Sequence, residues 1–85
     1  MPTYLKEHEG HRLKVIVRTL SVEFYYDEVQ VDRHKGYWSG GDLRYKNPEG
    51  DVYRVSVGIG LLHAHCNIYV NDTKIFEQSK IQLNR

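Results

Sequence analysis

The sequence predicts an all-β fold, a small antiparallel β-sandwich or partly open barrel of six to eight strands, on three observations. Seven tyrosines, one tryptophan and many valines, isoleucines and leucines stand against a single alanine, and branched and aromatic side chains suit a pleated, half-buried surface. Apolar residues recur at every second position in short runs, the period of a strand with one covered face. Between the runs stand Asp, Asn, Gly and Pro, the residues of tight turns.

Taken in order, residues 1–10 read as a loosely held end of a single domain spanning 1–85. In HRLKVIVRTL, Leu13, Val15 and Val17 alternate with Arg12, Lys14, Ile16 and Arg18, giving a strand with one apolar and one largely basic face. SVEFYYDEVQVDR places Val22, Phe24 and Tyr26 on one face and Ser21, Glu23 and Tyr25 on the other, turns at Asp27 and Glu28, and resumes with Val29 and Val31. KGYWSGGD, residues 35–42, carries three glycines and reads as a loop or a bulged strand entrance. LRYK and VYRVSVGI flank NPEGD, where Pro48 presets φ and Gly50 suits a left-handed position. A last hairpin runs from HCNIYV to KIF across Asn71 and Asp72.

The predicted core is Leu13, Val15, Val17, Val22, Phe24, Val29, Val31, Leu43, Tyr45, Val55, Val57, Ile68, Val70 and Phe76, with Trp38 packing at a sheet edge. VEFYYDEVQV and NIYVNDTKIF resemble each other. The shared chemistry of tight hairpins accounts for that likeness without a repeat array.

Twelve Lys and Arg against eleven Asp and Glu leave a formal net charge of +1, so no strong global field draws nucleic acid or anionic lipid, and such binding needs a local patch. One cysteine cannot close an intrachain disulfide, which suits a reducing compartment. The polar N-terminus lacks the apolar run of a signal peptide, and no stretch approaches the ~18 apolar residues of a membrane span. The expectation is a cytoplasmic protein with no membrane partner and no cofactor.

The most enzyme-like stretch is GIGLLHAHC, which brings His63, His65 and Cys66 together. Strand alternation sends Leu62, Ala64, Cys66, Ile68 and Val70 to one face and His63, His65, Asn67 and Tyr69 to the other. Cys66 then points away from both imidazoles and serves as a small core residue with an inert thiol. The histidine pair has metal-ligand spacing, but zinc needs a third protein ligand, for which His11 or His34 is the nearest candidate. The Gly-x-Gly of VSVGIG lacks the third glycine and helix of a dinucleotide fingerprint, and GGD lacks the Lys-Ser/Thr end of a phosphate loop. Glu23 with Asp27, and Glu49 with Asp51, read as solvated charges rather than an acid-base pair.

A binding surface is the remaining candidate. Arg12, Lys14 and Arg18 line one outward face, while Tyr25, His63, His65 and Tyr69 occupy outward positions on other strands. On a shared sheet they would form a basic and aromatic platform for a protein partner, a nucleotide or single-stranded nucleic acid. Exposed edge strands add a route to homo-oligomers.

The order of HRLKV, YYDEVQVDR, SGGDLRY and IYVNDTKI, over roughly residues 11–76, resembles the Fas apoptotic inhibitory molecule family. The resemblance implies a compact antiparallel β-sandwich with no known catalytic site, a non-enzymatic interaction domain, and it transfers no functional residue.

Overall fold

A computed structural model describes residues 2–35, 40–59 and 63–81. The chain folds into eight strands: β1 (Thr3–His8), β2 (His11–Val17), β3 (Ser21–Tyr26), β4 (Val29–Lys35), β5 (Gly40–Lys46), β6 (Val52–Ile59), β7 (His63–Val70) and β8 (Thr73–Ile81). They form two four-stranded antiparallel meanders, β1-β2-β3-β4 and β5-β6-β7-β8, each in chain order. The meanders pack as the two layers of a sandwich, and no barrel closes. No helix occurs among the described residues, so none of them forms a helix able to cross a membrane.

Alternation decides what lies between the layers. Leu13, Val15, Val17, Val22 and Phe24 of the first sheet meet Leu43, Val55, Val57 and Ile68 of the second, all at most 2% exposed. Tyr53, Ala64 and Cys66 belong to the same buried set. Expected core residues on edge strands are less covered: Val31, Tyr45 and Phe76 are half-buried against the core. Val29 is 62% exposed, because it opens an edge strand directly beside a turn. Trp38 lies outside the described residues, as do the central positions of KGYWSGGD and Leu62.

Residues 3–8, expected within a loosely held end, pair with β2 as strand β1. Tyr4 is fully buried there, and its hydroxyl donates to the Ala64 carbonyl across the sandwich at 2.8 Å. A second tie between layers is the Asn47 side-chain amide donating to the Tyr26 hydroxyl at 3.3 Å. Around it, Tyr26 contacts the rings of His11, Tyr45 and Tyr53, with centroids 4.8, 5.0 and 5.3 Å away.

The two hairpins that look alike in sequence occupy the same place in the two sheets, and the likeness goes beyond turn chemistry. Both two-residue turns are left-handed throughout, with φ of 50° and 72° at Asp27 and Glu28 and of 49° and 69° at Asn71 and Asp72. Both ladders shift register at the same step, between Phe24 and Tyr25 and between Ile68 and Tyr69. The Asp27 carboxylate accepts from the Arg12 amide at 2.8 Å, and the Asn71 carbonyl oxygen from the Val52 amide at 2.9 Å. Lys14 sits over the Tyr25 ring and Arg54 over the Tyr69 ring. The closing hairpins of the two sheets therefore follow one plan, although the first turns differ, two residues at Glu9 and Gly10 against the longer run from Asn47 to Asp51.

Candidate functional site

The residues singled out from the sequence divide between the two outer faces of the sandwich. Arg12, Lys14, Arg18 and Tyr25 come together on the outer face of the first sheet; His63, His65 and Tyr69 lie on the outer face of the second. The single platform expected on a shared sheet does not form, because each meander keeps its own four strands and the two outer faces point in opposite directions.

On the first face the cations are engaged at home. Arg12 pairs with Glu28 at 3.3 Å, and the Lys14 ammonium lies 4.8 Å from the Tyr25 ring centroid. At the centre Glu23 is only 7% exposed. It accepts from the Tyr25 hydroxyl at 2.8 Å and from the Arg18 guanidinium at 3.0 Å, with Arg33 at 4.0 Å. The Tyr25 bond, with help from Arg18 and Arg33, holds the Glu23 carboxyl below the usual carboxylate range against the opposing effect of its burial. Arg33 was not singled out from the sequence; its signal is its place opposite Glu23 across the β3–β4 ladder.

On the second face Arg54 stacks on Tyr69 at 4.1 Å and reaches Asp42 at 3.7 Å. The His63 and His65 rings stack with centroids 6.5 Å apart, and His65 shares a hydrogen bond with Ser79. Asn67, central on this face, keeps its side-chain carbonyl oxygen buried without a hydrogen-bond partner. Stacking of a base on Tyr25 or Tyr69 would compete with the cation each ring already carries.

Neither His11 nor His34 can complete a metal site with His63 and His65. Both belong to the first sheet, and His11 Nδ1 lies 2.7 Å from the Asp27 carboxylate. Among the described residues no three His, Cys, Asp or Glu side chains converge in a way that could hold a metal ion. Cys66 faces the core as alternation predicts, fully buried, and burial pushes its thiol up to about 12.

The edges of the sheets differ in a way the sequence pattern does not reveal. Ladder alternation turns the backbone groups of every second residue on an edge strand away from its neighbour. On β4 and β5 one outward amide each is taken: Asp32 accepts the Arg33 amide at 2.8 Å and the Arg44 amide at 2.7 Å. On β1 the Thr3 carbonyl accepts from Lys80 at 2.6 Å, although Leu5 beside it stays 61% exposed. On β8 the outward backbone groups belong to Glu77 and Ser79, and no side chain among the described residues caps them. Asp32 occupies the place on β4 that Phe76 holds on β8, so the cap is lost by a single change of residue type.

No protein-family model, no characterised protein and no solved structure matches this chain.

Proposed function

We propose that this chain is a non-catalytic module that binds proteins, and that it does so by adding a partner strand to the β8 edge. The observation that carries this reading is the uncapped run at Glu77 and Ser79, set against the Asp32 carboxylate that holds an outward amide on each of β4 and β5. Main-chain hydrogen bonds supply affinity in strand addition, and alternate side chains supply selectivity. Here the side chains beside the incoming strand are Lys74, Glu77 and Ser79 on the outer face and Phe76, Gln78 and Lys80 on the inner. Against catalysis stand the buried thiol of Cys66 and carboxylates that are either clasped, as Glu23 is, or committed to turns, as Asp27 is.

The test is capture of proteins from the source cells by the wild-type chain and by Ser79→Pro. Proline at an outward-facing edge position removes one edge amide and leaves the β7 ladder intact. Partners retained by the wild type and lost by the variant support strand addition; identical capture refutes it.

A second reading is favoured by Arg12, Lys14, Arg18 and Arg33 sharing the outer face of the first sheet: contact with the phosphates of a nucleotide or single-stranded nucleic acid. Titration with short oligonucleotides over a range of salt checks it, since phosphate neutralisation makes affinity fall steeply as salt rises. No binding at low salt removes this reading.

A further inference from the structure

Resting on the reading of β8 as the docking strand, we infer that its occupant is the β8 strand of a second copy of this chain, paired antiparallel about a two-fold axis through Gln78. The axis sets Glu77 of one copy opposite Ser79 of the other, so the outward amides and carbonyls of these two residues bond reciprocally across the junction. The result is one continuous eight-stranded sheet. Gln78 faces Gln78, and Phe76 faces Lys80, so no like charges stand opposite one another along the paired stretch. Registers centred on Glu77 or on Lys80 would each oppose two identical charges.

Three further features of the molecule fit a second copy. Lysines commonly guard sheet edges, but Lys80 is turned back into its own molecule, bonded to the Thr3 carbonyl and lying 5.2 Å from the Tyr4 ring centroid. The formal net charge of +1 leaves little long-range repulsion between copies. The corresponding edge on β4 carries the Asp32 cap, which confines pairing to one edge of this symmetric pair and closes the assembly at two copies rather than a fibre.

The pairing is short, so the dimer is expected to be weak and concentration-dependent. Light scattering over a concentration series should show mass rising towards twice that of the chain. Gln78→Cys should trap the dimer as a disulfide, because residues on the axis at a non-hydrogen-bonded position lie about 4.5 Å apart between Cα atoms, within disulfide reach. Cys66 is fully buried and stays silent. His34→Cys, at the matching place on β4, should stay uncrosslinked. Gln78→Lys, a change at an exposed side chain, places like charges on the axis and should return the protein to monomer, as should Ser79→Pro. A strict monomer with no Gln78→Cys crosslink overturns the inference, as does a dimer that survives both Gln78→Lys and Ser79→Pro. The strand-addition reading falls separately, only if Ser79→Pro also leaves protein capture unchanged.

Discussion

The paired left-handed turns yield a prediction in which neighbouring residues of like φ respond oppositely to the same substitution. Asp72 has φ of 69°, and its side chain makes no hydrogen bond or ion pair among the described residues. An L-residue in the left-handed region costs roughly 1–2 kcal/mol, and glycine removes that cost while losing about 0.5–1 kcal/mol more backbone entropy on folding. Asp72→Gly should therefore stabilise the chain by about 0.5–1 kcal/mol. Glu28, at φ of 72°, should gain less, because its exposed pair with Arg12 contributes about 0.2–1 kcal/mol that glycine gives up. Asn71 has φ of 49°, yet its side chain accepts the Val52 amide at 2.9 Å and donates to Asp51 at 3.0 Å. Losing two bonds of about 0.5–1.5 kcal/mol each should outweigh the relief, so Asn71→Gly destabilises. Urea unfolding measures all three, and Asp72→Gly with Glu28→Gly should add, since the sites lie in different sheets. Stabilisation by Asn71→Gly equal to that by Asp72→Gly would refute the argument that its side chain braces the turn.

Ile68→Ala, at a fully buried position, should cost about 2–4 kcal/mol, and Val55→Ala somewhat less, read from the same urea midpoints. The Cys66 thiol, pushed up to about 12 by burial, should resist a thiol reagent at neutral pH and react only as fast as the chain opens. Asp27 is held below its ordinary value of 3.8, first by the Arg12 amide and then by His11. Its contribution is therefore complete above that value and lost as pH falls through the lower, folded one. Asp27→Asn, which keeps an acceptor where Asn71 has one, should flatten the decline in stability below about pH 4; an unchanged acid limb would show that Asp27 does not contribute to it.

The strands of the two central pairs were legible because the code for them is local. Leu13, Val15 and Val17, like Val55 and Val57, alternate with polar residues, and each hairpin announces its turn. β1 was missed because TYLKEH carries charges on both sides of its alternation: Lys6 and His8 share the inward side with Tyr4. On an edge strand such residues reach solvent past the end of the opposing layer, so an edge needs only one deep anchor, and Tyr4 is it. The binding residues were legible as outward-facing but not as a group, because periodicity assigns a face within a strand and says nothing about which sheet holds the strand. Arg12 and Tyr69 look equally outward in the sequence and lie on opposite sides of the molecule. Asp32 was invisible as an edge cap because its second partner, the Arg44 amide, belongs to the other sheet.

The closing hairpins of the two meanders share turn, register and bulge, while the first turns differ, two residues at Glu9 and Gly10 against the longer run from Asn47 to Asp51, and the side chains on the matched strands differ in what they hold. In the first, the central outward residue is Glu23, clasped by Arg18, Arg33 and Tyr25. In the second, the matching residue is Asn67, with Gly58 where the first has Arg18 and Glu77 where it has Arg33. The clasp is gone, and Asn67 keeps a buried acceptor unpaired, an arrangement that costs about 1–3 kcal/mol. The same hairpin has exchanged the capping Asp32 for Phe76. Loss of the clasp weakens the hold on the outer face, and loss of the cap opens the backbone edge beside it. Both changes fall on the β7–β8 hairpin: one leaves a side-chain acceptor unpaired on the outer face, the other leaves the outward backbone of Glu77 and Ser79 open at the edge where an added strand would lie.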